Sequence, residues 1–261
     1  MEETNVTGWN ELNERLYQDS WMPDIRRHRS RFAFRGLSTA SYPLETTLAR
    51  LGGDPGRLEG HLLRNFRKYA HQDVIERDSL WNWLALAQHH RLPSRLLDWT
   101  YSPYVALHFA TAETDKSHLD GVVWCVDFVQ VRKLLPPILA GELDREGADV
   151  FTVEMLSRVA GRLETFDTLT GELFAAFFEP PSLDDRIVNQ FALFSVLSDP
   201  RASFEDWLAH HPGLMRRVII PAALKWEVRD KLDQANISER VLFPGLDGLS
   251  VWLKRHYSYR D

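Results

Sequence analysis

The chain has 261 residues, 44% of them hydrophobic and 26% charged, with a single cysteine and a net charge of −6. That composition excludes collagen-like, low-complexity and wholly disordered chains. It also argues against a general nucleic-acid coat, because non-specific binding draws on phosphate neutralisation by basic groups. A local basic site stays open, since Arg26, Arg27, Arg29, Arg31 and Arg35 fall within ten residues.

A compact chain of this size buries roughly three-quarters of its unfolded surface, so a core needs no disulfide. Cys125 lies in the apolar run Gly121 to Val126 and reads as a buried thiol. The acidic start Met1 to Asn5 lacks the basic residues and apolar core of a secretory signal. No stretch reaches the roughly 18 apolar residues of a membrane span. A cytoplasmic protein without membrane contact is the expectation.

In chain order, Trp9, Leu12, Leu16 and Tyr17 fall at helical spacing within Gly8 to Asp19. Residues 30–36 alternate around Phe32 and Phe34 and predict a strand ended by Gly36. Pro43 opens a helix at about Leu44, broken by the glycines at 52, 53 and 56. Arg57 to His90 reads as two helices and Arg95 to Thr100 as an extended or turning segment. Ser102-Pro103 is a cap and first-turn proline for a helix through Ala110. Residues 121–128 read as a buried strand. The stretch 136–173 reads as a helical insertion, with one helix at about Thr152 to Leu163. Strands are expected at Phe174–Phe178, Ala192–Leu197 and Met215–Ile220, with helices at Ala223–Gln234 and Asp247–His256. Without regular βαβ alternation this is an α+β chain. No linker divides it, so 1–261 reads as one domain, with 1–25 an N-terminal helical extension.

Four clusters could carry chemistry. In Phe34-Arg35-Gly36 an arginine ends a half-buried strand, where its fork of donors needs a phosphate, a carboxylate ligand or a structural acid. The run from Gln88 to Thr100 holds His89, His90, Arg95, Asp98 and Trp99 around a proline turn and suggests a polar pocket. Adjacent histidines on a helix point about 100° apart, which is a poor metal geometry. Ser102 has the plain role of helix cap. In Asp184 to Phe194, Gln190 precedes an apolar strand, where it could orient a hydroxyl or only cap the strand end.

Together these motifs resemble the FRG domain, a bacterial and phage family named for its Phe-Arg-Gly tripeptide. The matching stretches are Phe34-Arg35-Gly36; Gln88-His89-His90-x-Leu92-Pro93-x-Arg95-Leu96-Leu97-Asp98-Trp99-Thr100-x-Ser102-Pro103; Ala106-Leu107-x-Phe109-Ala110; Arg186-x-x-x-Gln190; and Leu242 to Gly248. The order Arg35, then Thr100 or Ser102, then Gln190 is also similar to ADP-ribosyltransferases of the Arg–Ser–Glu type. That resemblance implies a mixed, mostly antiparallel sheet flanked by helices, with NAD as substrate and no metal.

On that resemblance the catalytic set is Arg35, Thr100, Ser102, Gln190 and Glu179. The NAD-contacting set is Arg35, Gly36, Gln88, His89, His90, Arg95, Asp98, Trp99, Tyr101 and Arg186. Arg35 would grip the diphosphate, and Trp99, Tyr101 or Tyr42 would stack on nicotinamide. Gln190 departs from the Glu of the type, and an amide oxygen accepts hydrogen bonds without serving as an efficient base. Glu179, Asp185 or Asp98 would then supply the carboxylate. The expected function is an NAD-dependent ADP-ribosyltransferase, a toxin or phage-defence effector acting on a nucleic acid or protein acceptor, with room for an antitoxin or regulatory partner. The alternatives are a sensor module for an anionic nucleotide-like ligand, and a hydrolase or nuclease using His89, His90 and Asp98. The arginines at 26, 27, 29 and 31 either meet phosphates near the pocket or form a solvated edge paired with Glu11, Glu14 and Asp19.

Overall fold

In the computed structural model the described residues are 2–70 and 78–259. They build one mixed sheet of eight strands, from β1 (Glu2–Asn5) to β10 (Met215–Ile220), in the order β1-β10-β6-β4-β5-β9-β8-β7. A separate two-stranded ribbon pairs β2 (Trp21–Met22) with β3 (Arg27–His28). The central strand β6 (Gly121–Asp127) is buried at every residue, as its unbroken apolar run requires. Antiparallel pairs fill the middle, and the two outermost pairs, β1 with β10 and β7 (Phe151–Thr152) with β8 (Ala175–Glu179), are parallel. The expected α+β class and mostly antiparallel sheet are therefore what the chain adopts.

One face of the sheet carries a single large core. Trp99, Trp124, Phe177 and Met215 pack there with Phe128 of α5 (Phe128–Arg132) and with Phe204 and Trp207 of α10 (Phe204–Ala209). The opposite face carries two separate cores. Phe34, Val123 and Val218 lie under α1 (Trp9–Tyr17), α4 (Pro103–Thr111) and α11 (Lys225–Gln234). Phe178, Phe194 and Val196 lie under α3 (Leu80–His89), α6 (Pro137–Glu146), α7 (Val153–Val159) and α8 (Leu163–Asp167). Between them, on β4 (Phe32–Leu37) and β5 (Leu97–Thr100), the sheet has no continuous apolar cover. The site described below occupies that seam.

Several expectations change. No α-helix starts at Leu44: only a single 3₁₀ turn forms at Ala49–Leu51, because the Leu44 amide donates to Glu205 and Thr47 exchanges bonds with Ser94. Gly36 does not end β4, which continues to Leu37. It is glycine because α4 crosses so closely that a Cβ would stand 1.8 Å from the Ala106 carbonyl oxygen. The stretch 136–173 packs as three helices and also adds the edge strand β7. The first residues form β1 in register with Arg216–Ile219, ahead of the expected helix. The Cys125 thiol is fully buried and its pKa is pushed up to about 12 by that burial, which keeps it protonated and unreactive. No described helix is long and apolar enough to cross a membrane.

Candidate functional site

The strands β4 and β5 share one paired position, Phe34 with Thr100. Beyond it they part, and residues 35–37 no longer face 97–99 across hydrogen bonds. Into this split turns Arg35, whose side chain is 18% exposed and whose Nη1 donates to the Asp98 carbonyl at 2.6 Å. The Asp98 carboxylate lies 3.9 Å away, and Arg35 Nε is buried without a partner. Burial lowers the Arg35 pKa against the opposing pull of Asp98. A buried guanidinium with a spare donor at a cavity wall is built to receive an anion.

The remaining geometry holds Asp98 in place. Gln88, buried on α3, donates from Nε2 to Asp98 Oδ2 at 2.9 Å and accepts from Ser94 Oγ at 2.7 Å. Thr100 Oγ1 donates to the Gln190 carbonyl at 2.7 Å and accepts from the Ser102 amide, so it ties β5 to the end of α9 (Asp185–Asn189). Around these groups lies an inner lobe of about 220 Å³, bordered by Arg35, Asp98, Thr100, Phe109, Arg186 and Gln190. Arg35, Gly36 and Phe109 also border a wider outer lobe of about 540 Å³, with Tyr42, Arg50 and Lys116.

The two lobes differ in charge compensation. In the outer lobe Arg50 faces Glu45 at 3.6 Å and Lys116 pairs with Glu113. In the inner lobe the Arg186 side chain has no hydrogen bond or ion pair among the described residues, and its guanidinium lies 5.2 Å from the Phe243 ring. Burial, and then Arg91, lower its pKa, with Asp98 and Asp184 opposing. The inner lobe thus sets two guanidinium groups, Arg35 and Arg186, against one bordering carboxylate, Asp98.

A C-terminal helix pair, α12 (Glu239–Leu242) and α13 (Leu246–His256), buttresses this lobe. Gln190 Nε2 donates to the Leu242 carbonyl and Asn189 Nδ2 to the Val241 carbonyl, both at 2.9 Å. The pair can pack so closely because position 248 is glycine: a Cβ there would stand 1.9 Å from the Phe243 carbonyl oxygen. Arg255 clamps it through Glu239 and Asp233.

Of the residues singled out from sequence, Arg35, Gly36, Asp98, Thr100, Arg186 and Gln190 come together. Trp99 borders the lobe, but strand alternation turns its indole to the other face, where Nε1 donates to Ser195 and the ring packs on Phe177 and Phe204. It cannot stack on a ligand here. Arg95 is also no ligand contact: Glu59, Asp167 and the Leu197 carbonyl take up its donors in the core. Ser102 is the cap of α4, accepting from Val105, and lies outside the lobe. Glu179 and Tyr101 bond to each other at 2.9 Å beyond the lobe, and burial, then Glu179, raise the tyrosine pKa. Asp185 is exposed outside it. Gln88 stands behind Asp98 as a positioning residue. His89 pairs with Asp184 at 2.7 Å, and His90 is exposed with its ring edge against His89, so neither borders the lobe. Tyr42 reaches the outer lobe only.

Sequence reasoning missed Phe109 and Arg50 as lining groups, and Phe243 as the partner of Arg186. Phe109 was legible as part of an Ala-x-x-Phe pattern; Arg50 carried no signal.

Residues 30–118 match the family model of the FRG domain, a segment that includes Arg35, Asp98 and Thr100 and stops short of Arg186 and Gln190. No curated protein and no solved structure matches the chain.

Proposed function

We propose, from the premise that residues 30–118 are an FRG domain, that the seam cleft takes NAD and that the protein is an ADP-ribosyltransferase. The observation that carries this reading is the Arg35 guanidinium, buried with an unpartnered Nε at the split between β4 and β5, on the same lobe as a second arginine, Arg186. Two planar forks facing one small lobe suit a diphosphate better than a single carboxylate.

In the reaction the bond between nicotinamide and ribose C1′ breaks, and the nicotinamide leaves with the electron pair as a neutral base. An acceptor nucleophile forms the new bond to C1′ and loses a proton. The developing oxocarbenium needs nearby negative charge, supplied preferentially in the transition state. Asp98 is the carboxylate bordering the inner lobe, and its Oδ1 is unengaged, so it replaces Glu179 as candidate base. Gln190 Oε1 has no hydrogen-bond partner among the described residues and can accept from a ribose hydroxyl. A transferase of this kind fits an intracellular toxin or phage-defence effector.

The test is transfer of label from NAD to mixed protein, DNA and RNA acceptors by the purified full chain. Arg35→Ala is expected to cut labelling about 100-fold or more, as removal of one preorganised donor does elsewhere. Asp98→Asn and Gln190→Ala should also reduce it. Labelling that survives Arg35→Ala overturns the reading. One observation favours a second reading, a sensor that binds without turnover: the third position is an amide whose nitrogen is committed to Leu242. Reversible NAD binding by calorimetry, lost in Arg35→Ala and unaccompanied by label, selects it.

A further inference from the structure

The ribbon of β2 and β3 stands apart from the large sheet and packs no apolar core of its own. Its register is Trp21 with His28 and Met22 with Arg27, and the Arg29 amide donates to the Ser20 carbonyl at 2.6 Å. The turn at Pro23 to Arg26 closes with Arg26 in the left-handed region, φ 51°. Every residue from Trp21 to Arg31 is exposed, so the ribbon's shape is set by backbone pairing and its side chains are presented outward.

Those side chains are chemically lopsided. Residues 20–31 hold four arginines against one acid, Asp24, in a chain of net charge −6. Two nearby acids are engaged elsewhere: Glu11 of α1 bonds to Thr7, and Asp19, just past that helix, pairs with Arg216. Among the described residues the Arg26 and Arg27 side chains have no partner, and the Arg29 side chain bonds only to the His28 carbonyl. Arg31 alone is paired, with Asp127 at 2.7 Å. Beside these lies Trp21, 51% exposed, its ring 5.0 Å from that of His28.

We infer that this ribbon is a docking site for single-stranded nucleic acid. Free guanidinium groups meet phosphates, and an exposed indole offers a stacking platform for an unpaired base. Duplex would not use the indole, and an acidic peptide would use the arginines alone. The ribbon leads directly into β4, and the six residue steps from Arg29 to Arg35 reach at most about 22 Å when extended. A strand seated on the ribbon can therefore extend to the cleft. The inference rests on the proposed transferase only in naming the acceptor class, and binding can be read without turnover.

The experiment is fluorescence anisotropy of the full chain with labelled 20-mer single strands, RNA and DNA in separate arms, titrated from 50 to 200 mM salt. The comparison is with the triple variant Arg26→Ser, Arg27→Ser, Arg29→Ser and with Trp21→Ala. The triple variant is expected to bind at least tenfold more weakly, with the salt slope reduced by about 2, since each phosphate contact contributes about 0.7 on single strands. Trp21→Ala should weaken binding about tenfold or more and leave the slope unchanged. NAD binding should be the same in all variants, so failure here is separable from failure of the cleft. Equal affinity of wild type and triple variant, preference for a poly-glutamate peptide, or absence of nucleic-acid binding each overturns the inference.

Discussion

Arg35 and Arg95 both fall in the segment that matches the FRG model, both are largely buried, and the protein treats them in opposite ways. Arg95, 4% exposed, donates to Glu59 at 2.7 Å, to Asp167 at 2.5 and 3.1 Å, and to the Leu197 carbonyl at 3.4 Å. Burial alone would depress its pKa, but Glu59 and Asp167 hold it above the ordinary value. Arg35 has one carbonyl, a distant carboxylate and an idle Nε, and its pKa is lowered. From the segment just before β5, the first guanidinium cross-links α2 (Pro55–Tyr69), α8 and the end of β9 (Ala192–Leu197). The second is held ready at a wall. A buried arginine declares its role by its partners, and those come from distant parts of the chain.

The largest effect should come from breaking that contrast at the cross-link. Arg95→Met leaves Glu59 buried without its cation, and loss of one partner of a buried pair costs about 3–5 kcal/mol. Arg35→Met, read in the same urea titration, should be neutral or stabilising, because an under-compensated charge is replaced by an apolar chain of similar length. Equal destabilisation by the two substitutions would break the comparison and make Arg35 structural.

Arg229 is an intermediate case, and it supplies a pH signature. It is buried on α11, and its Nη1 donates to Nδ1 of His108 at 3.0 Å. That bond requires a neutral imidazole. Burial, followed by Arg229, lowers the His108 pKa to about 3. The unfolded chain takes up this proton near pH 6.5 and the folded chain does not, so stability is full above that value and falls as pH drops toward 3. The slope can approach about 1.4 kcal/mol per pH unit from this group. Glu239, clamped by Arg255 and Arg229 against the cost of its burial, is lowered to about 2 and contributes a similar loss only below pH 4.5. Thermal melts between pH 7 and 5 therefore read His108 together with His89, whose pKa burial also lowers, and His108→Gln should reduce that limb while leaving the acid limb in place.

These differences explain what could be read from the sequence. The strands β6, β8 and β9 (Ala192–Leu197) were legible because burial on both faces imposes nearly continuous apolar runs, and β10 from its Val218-Ile219-Ile220 end. Helix α4 was legible from Ser102-Pro103. Strand β1 was not, because Glu2 to Asn5 joins the sheet by backbone pairing at an edge and has no apolar alternation to signal it. Within the site, Arg35, Thr100, Asp98 and Gln190 were legible as motif members. Which way Trp99 faces, and which acids meet Arg95, depend on strand register and on Glu59 and Asp167, far away in sequence. The split of β4 from β5 leaves no local mark in either strand.

The smallest expected effect tests the reassignment of the carboxylate. Glu179 ends β8, three strands away from Arg35 in the sheet order, and its Oε1 accepts from the Tyr101 hydroxyl. A largely exposed hydrogen bond of this kind is worth about 0.5–1.5 kcal/mol. Glu179→Gln keeps an acceptor for Tyr101, so stability should change by less than about 1 kcal/mol and label transfer from NAD should be unchanged. Tyr101→Phe should behave alike, because the hydroxyl it removes serves only this bond. Loss of transfer in either variant at unaltered stability would return Glu179 to the chemistry. The β8 end would then have to close on the cleft when ligand binds, and Asp98 would be reduced to a holder for Arg35.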